Sequence, residues 1–185
     1  MIKNIKSKIS LLLVMGLIVM SCTEAIDLDQ VNDLVLTPAV EASLVYFDEP
    51  ASRFIDSGAN ASTIQDFISV EFFNDQFIAD NLEKAEFVFE TKNTINRIFE
   101  LQVDFLDDTG TVRHTIIVNE DAAPDNTDST TTYIEVFEGS SLTALKQTVT
   151  INFSLRLLPG ETIDENTPGR IQYISYASFY FNISK

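Results

Sequence analysis

Apolar and polar residues alternate with a period of two along most of the chain beyond residue 34. The clearest segments are 98–106, 148–158 and 170–182, in which every second side chain is apolar apart from Ser175. Such alternation over eight or more residues is typical of a β-strand with one buried face. Less regular segments predict further strands at Val35–Phe47, Ile64–Phe73, Ala85–Thr91, Thr111–Asn119 and Thr132–Phe137.

The pattern predicts an all-β fold. One apolar face per strand is the antiparallel pattern, and about eight strands separated by turns favour a sandwich or a barrel. Because each sheet buries one face, we expect an antiparallel two-sheet sandwich with its apolar sides facing inward. Its architecture resembles that of immunoglobulin-like domains, although a chain without tryptophan lacks their Cys…Trp…Cys signature.

The segments between the predicted strands contain turn and helix signals. Asp107–Gly110 predicts a tight hairpin because Gly110 can adopt a positive φ, and 93–96 predicts another turn. Gly139–Gln147 predicts one capped helical turn, and Phe77–Leu82 a second short helix. The longest predicted loop, Glu120–Thr131, is acidic and rich in Asn and Thr.

The first 22 residues have a different character. Lys3, Lys6 and Lys8 form a basic start, and Leu11–Met20 is an apolar run of secretory length. Val19-Met20-Ser21-Cys22 follows, and it resembles the lipobox of bacterial lipoproteins. A transmembrane anchor and an ordinary cleaved signal are the alternatives, but the run is shorter than the roughly 20 apolar residues of a spanning helix.

The resemblance implies a diacylglycerol on the sulfur of Cys22 and a third acyl chain on its amine, and two or more chains anchor stably. It divides the chain into a signal peptide at 1–21, a lipidated acidic tether at 22–33 and a β-sandwich domain at 34–185. The implied location is the outer membrane. The acids at Glu24, Asp27 and Asp29 favour its outer face only slightly over the periplasmic face.

Net charge and cysteine content exclude several classes of partner and of reactive site. The chain carries a net charge of −16, and removal of residues 1–21 with their three lysines leaves 9 basic against 28 acidic side chains, or −19. Such a surface repels nucleic acid, which is not expected as a partner. Cys22 is the only cysteine, so no disulfide or thiol nucleophile is expected once it is lipidated.

The candidate catalytic and metal-binding residues are few. His114 is the only histidine; it lies on the apolar face of a predicted strand, and no G-x-S-x-G motif accompanies it. We therefore expect no enzyme and no cofactor. Zinc needs clustered His or Cys, so no zinc site is expected. Asp121, Asp125 and Asp128 are weak candidates for calcium ligands, but the composition favours an acidic loop exposed to solvent, and no metal is expected.

The last predicted strand carries the best candidate binding surface. Ile174, Tyr176 and Tyr180 share its nominally polar side, where they either contact a partner or are covered by neighbouring structure. The sequence thus predicts an envelope lipoprotein that is a non-catalytic interaction or accessory subunit of an outer-membrane complex. The alternative is a glycan-binding module of a nutrient-capture system, with these tyrosines as its platform.

Overall fold

The structure is a computed structural model that describes residues 36–55 and 63–183. Within these ranges the chain forms eight strands: β1 (Ala39–Pro50), β2 (Thr63–Ser69), β3 (Leu82–Asn93), β4 (Phe99–Leu106), β5 (Val112–Glu120), β6 (Ser129–Phe137), β7 (Thr150–Leu157) and β8 (Arg170–Phe181). Two short helices, α1 (Gln76–Asn81) and α2 (Gly139–Lys146), and single 3-10 turns at Ala51–Phe54, Phe72–Asn74 and Pro124–Asn126 connect them.

The strands form two four-stranded antiparallel sheets. Sheet A has the order β1-β8-β3-β6, and sheet B has the order β2-β7-β4-β5. The predicted all-β sandwich of about eight strands is therefore confirmed. The pairs β1–β8, β2–β7, β3–β6 and β4–β5 are nested and alternate between the sheets. This strand order is that of a jelly roll, which the alternation pattern alone does not specify.

The inner faces of the sheets form one hydrophobic core that is rich in phenylalanine. Phe87 of β3 lies near its centre and makes edge-to-face contacts with Phe105, Phe137 and Phe179, at ring-centroid distances of 5.4, 5.0 and 6.0 Å. Edge-to-face pairs add favourable electrostatics to the burial of apolar area. A cysteine-free core of this kind suffices to stabilise a domain of this size by packing.

The predicted helices and turn are present. The Asp75 carboxylate caps α1 by accepting from the amide of Phe77 at 2.8 Å, and the Glu138 amide donates to the Ser141 hydroxyl at the start of α2 at 3.0 Å. Lys146 Nζ donates to the Ala79 carbonyl at 2.7 Å, so the end of α2 is tied to α1.

The β4–β5 hairpin is organised around Asp107, which is 5% exposed. Its Oδ1 accepts from the Thr109 hydroxyl at 2.7 Å and from the amides of Thr109 and Thr111 at 2.9 Å, while Arg113 pairs with Oδ2. These donors, with the Thr109 hydroxyl contributing most, lower the pKa of Asp107 to about 2. Gly110 has a φ of +76°, as the turn requires.

The two long edges of the sandwich differ. At the β5/β6 edge, His114 Nε2 lies 2.8 Å from Glu135 Oε1, and the Tyr133 hydroxyl donates to Glu135 Oε2 at 2.6 Å. Thr91 and the buried Glu120 form a second polar link there. At the β1/β2 edge, an apolar cleft of about 210 Å³ separates the sheets.

The first and last described residues meet beside the β1/β8 pair. Leu36 and Ile183 exchange two backbone hydrogen bonds of 3.1 and 2.9 Å. Chain entry and exit therefore lie at the same end of sheet A.

Candidate interaction surface

The three candidate residues on β8 lie on the outer face of sheet A. Ile174 is exposed, and Tyr176 and Tyr180 are partly exposed, whereas the alternating residues Tyr173, Ala177 and Phe179 are buried in the core. β8 is an inner strand, flanked by β1 and β3. No layer of the described residues covers Ile174, so this face of the sheet is open to solvent.

Neighbouring strands extend this surface. In one cross-strand row, Tyr176 is paired with Val88 of β3, which is paired with Ile134 of β6. In the next row, Ile174 is paired with Tyr46 of β1. We call the resulting set the apolar patch; it comprises Tyr46, Val88, Ile134, Val136, Ile174 and Tyr176.

A β-bulge turns Tyr46 onto this face. The register of β1 against β8 shifts between Ser43 and Tyr46, so β1 has one residue more than β8 in this interval. The extra residue reverses the alternation, and Val45 and Phe47 point into the core while Tyr46 is 60% exposed. The buried Ser175 hydroxyl accepts from the Val45 amide at 3.2 Å, which satisfies a donor that the bulge removes from the ladder.

Carboxylates surround the apolar patch. Glu90 follows Val88 on the outer side of β3 and is paired in register with Ile174, and Glu86 precedes it and is paired with Val136. Asp48 lies beyond Tyr46, where Arg170 Nε donates to it at 2.5 Å. This hydrogen bond is the main reason why the pKa of Asp48 lies below its ordinary value. The patch is thus apolar at its centre and acidic at its rim.

Tyr180 differs from the other two candidates. Its hydroxyl donates to Glu86 Oε2 at 2.8 Å, and this bond is the main cause that raises the pKa of Tyr180. Lys84 Nζ lies 4.8 Å from the centroid of the Tyr180 ring and 2.6 Å from Glu86. One face of the Tyr180 ring is therefore occupied by a cation, so Tyr180 belongs to the polar border of the patch and offers little platform to a sugar.

His114 faces the core side of β5, as its position in the alternation indicates. Its ring packs edge-on against Phe137 at 4.9 Å and Phe105 at 5.8 Å. Its partner among the described residues is Glu135 of β6, a residue of the opposite sheet. His114 therefore links the two sheets at the β5/β6 edge.

The calcium candidates lie in a loop that spans 121–128, shorter than predicted because β5 reaches Glu120 and β6 begins at Ser129. Asp128 forms an ion pair with Lys92 at 2.7 Å. In residues 36–55 and 63–183, no three side chains of Asp, Glu, His or Cys converge as metal ligands would. Asp121 and Asp125 therefore have no third ligand of this kind beside them in the described part of the chain.

The predicted signal peptide at 1–21, the lipidation site Cys22 and the tether at 22–33 lie outside the described residues. Within the described ranges, no helix has the length and apolar character that crossing a bilayer requires.

Comparisons with known proteins give no family. No protein-family model and no curated protein matches the chain. A predicted secreted protein from Parabacteroides distasonis matches 63% of this chain and 37% of its own length, with 13% identity and a TM-score of 0.40. The subviral particle protein VP2 of infectious bursal disease virus matches 80% and 33%, with 11% identity and a TM-score of 0.44.

The chain thus spans about a third of the length of these two proteins. The protein of Desmodium yellow mottle tymovirus matches 81% of this chain and 91% of its own, with 7% identity and a TM-score of 0.32. Likeness at this level carries no argument about function.

Proposed function

We propose that this protein is a non-catalytic envelope lipoprotein that binds a partner protein through the apolar patch. In this proposal, acyl chains on Cys22 hold the sandwich at the outer membrane, and the domain is an interaction or accessory subunit of a membrane complex. The observation that carries the proposal is the open, contiguous apolar patch on the outer face of sheet A.

The apolar patch is unusual for a side of a sheet that faces solvent. A solvent-facing side of an antiparallel sheet is ordinarily polar, as at the centre of the outer face of sheet B, where Gln102, Asp104 and Ser154 lie. Exposed apolar residues on that face, such as Ile117 and Phe67, stand apart on its outer strands. The patch instead exposes Ile134 by 54%, Ile174 by 45% and Val136 by 44%, on two strands that contribute to the same face. Contiguous exposed apolar surface with a polar rim is typical of a protein–protein contact.

The rim indicates the chemistry of the partner. Glu86, Glu90 and Asp48 surround the patch, and Lys84 and Arg170 already pair with Glu86 and Asp48. The negative character of this side therefore comes from Glu90 and from the net charge of −16 of the whole chain. A partner with an apolar centre and a Lys- or Arg-rich border would complement it and would be steered by long-range attraction. A second copy of this chain would bring the same acidic rim against itself, so we favour a different protein.

The location in the proposal depends on the lipobox resemblance. The basic start, the apolar run and the single cysteine at position 22 support lipidation. The substitution Cys22→Ala should prevent incorporation of an alkyne-labelled fatty acid and release the protein from washed membranes. A variant that keeps the label would contradict lipidation at this residue.

The partner is tested by purification of the tagged protein from native membranes after mild crosslinking. We expect a defined membrane protein to co-purify, and we expect the double substitution Ile134→Asp and Ile174→Asp to abolish its recovery. Ile117→Asp is the matched control, because Ile117 is 52% exposed on the outer face of sheet B. Recovery of the protein alone, or equal loss with the control, would refute the proposal.

A further inference from the structure

The outer face of sheet B carries a groove that is distinct from the apolar patch and faces the other way. It has a volume of about 310 Å³ and is lined by Thr63, Gln65, Glu100, Gln102, Asp104, Ser154 and Arg156. A second depression of about 340 Å³ shares Gln65 and Ser154 with it and includes the ring of Phe67. The two form one continuous trough that crosses β2, β7 and β4.

From this trough we infer a binding site for a neutral oligosaccharide. Every residue that lines the groove of about 310 Å³ carries an amide, a carboxylate, a hydroxyl or a guanidinium group. Groups of these kinds, fixed in a shallow depression, match the alternating donors and acceptors of sugar hydroxyls. The specificity of a small-molecule site comes from such a set of placed polar groups.

The polar side chains are held in place by one another. Asp104 accepts from Gln102 Nε2 at 2.7 Å and from the Thr115 hydroxyl at 2.7 Å, and Gln65 Nε2 donates to the Ser154 hydroxyl at 3.2 Å. Each amide uses one of its donor positions in these bonds, and neither carbonyl oxygen has a hydrogen-bond partner in the ranges 36–55 and 63–183, so both can accept from a ligand. The site is thus pre-organised, which reduces the entropy lost on binding.

Phe67 supplies the apolar element that a sugar ring needs. It follows Gln65 on the outer side of β2, is paired in register with Asn152, and its side chain is 69% exposed. A ring of this size at the end of a polar trough can cover the C–H face of a pyranose. Tyr180, the earlier candidate for such a platform, is instead covered by Lys84.

Charge restricts the ligand to neutral sugars. The trough contains three carboxylates, those of Asp66, Glu100 and Asp104, against a single cation, Arg156, which is already paired with Glu100. A uronic or sialic acid would bring a further negative charge beside Asp104, in a protein with a net charge of −16. Repulsion of this kind selects against acidic ligands.

The test is isothermal titration calorimetry of the full chain in detergent. The neutral ligands are cellohexaose, mannohexaose and maltohexaose, and oligogalacturonate is the acidic ligand for comparison. We expect at least one neutral oligosaccharide to bind and oligogalacturonate not to bind. Phe67→Ala and Gln102→Ala should each weaken binding by about tenfold. Tyr46→Ala is the control on the opposite sheet, since Tyr46 is 60% exposed, and it should leave the affinity unchanged.

Absence of binding by all three neutral sugars, or binding that both trough variants leave unaltered, would overturn the inference. Preferential binding of oligogalacturonate would also overturn it. The variants are compared only when their thermal unfolding matches that of the unmodified protein. The result is independent of the apolar patch, because the two sites lie on different sheets.

Discussion

Ser175 controls the bulge that places Tyr46 on the surface, and its hydroxyl can be tested directly. Ser175 is 1% exposed, accepts from the Val45 amide at 3.2 Å and lies 3.4 Å from the Val45 carbonyl. The substitution Ser175→Ala leaves a buried N–H without this partner, which costs about 1–3 kcal/mol. The free energy of unfolding should fall by about 2 kcal/mol, and Tm by about 5 °C for a domain of this size.

The measurement is urea unfolding followed by far-ultraviolet circular dichroism. Ser178→Ala is the matched control, because Ser178 is also buried on β8, at 9% exposure, but points to the outer side of sheet A and does not bond the Val45 amide. Its removal leaves that amide paired and should cost less than the removal of the Ser175 hydroxyl. If Ser175→Ala destabilises the protein no more than Ser178→Ala does, the hydroxyl does not sustain the bulge. Ser175→Thr, which keeps the hydroxyl, separates loss of the bond from a packing effect.

Two further predictions concern ionisable groups. The folded pKa of Asp107, about 2, lies below its ordinary value of 3.8, so its contribution to stability is present above about pH 4 and is lost as the pH falls through 2. Asp107→Asn should therefore lower the urea midpoint at pH 7 and flatten its decline between pH 4 and 2; parallel declines in both proteins would contradict this. Glu86→Gln should lower the pKa of Tyr180, because the carboxylate acceptor of its hydroxyl is removed. Carbon NMR of the tyrosine ring, assigned with Tyr180→Phe, measures that pKa, and an unchanged value would show that the bond does not control it.

The alternation of residues was sufficient to predict the strands and the sandwich. Phe99–Phe105 and Ile151–Leu157 alternate without interruption, so the buried face of β4 and β7 followed from period two alone. Strand order did not follow, because β8 contributes to sheet A beside both β1 and β3, and such pairings join residues far apart in the chain. The local pattern of apolar and polar residues contains no information on such long-range strand pairings.

The candidate surface was predictable only in part. Ile174 and Tyr176 were identified from their position on the polar side of β8, and the structure places both on the outer face of sheet A. Tyr46 could not be assigned, because the bulge reverses the alternation of β1 and sends Val45 inward. Ile134 lies in a threonine-rich strand that carries apolar residues on both sides, with Tyr133 and Phe137 facing the core and Ile134 and Val136 facing outward. The alternation alone therefore does not show which side of this strand is buried.

Phe67 was missed for a related reason. It lies within Ile64–Phe73, where apolar residues are dense enough that the sequence alone assigns no face to any of them. β2 is a short edge strand, and its pairing with β7 puts Phe67 opposite Asn152 on the outer side. An exposed aromatic residue at a sheet edge is therefore recognisable only once the register is known.

The meeting of Leu36 and Ile183 has a mechanical consequence. A pull on the backbone at Leu36, against a domain held at sheet A by a bound partner, acts along β1 and draws it lengthwise past β8. These strands are paired at ten Cα positions, which share such a load in shear and do not open one at a time. In the proposed lipoprotein, a sandwich connected in this way would transmit tension between the lipidated end and a bound partner without separation of β1 from β8 one residue at a time.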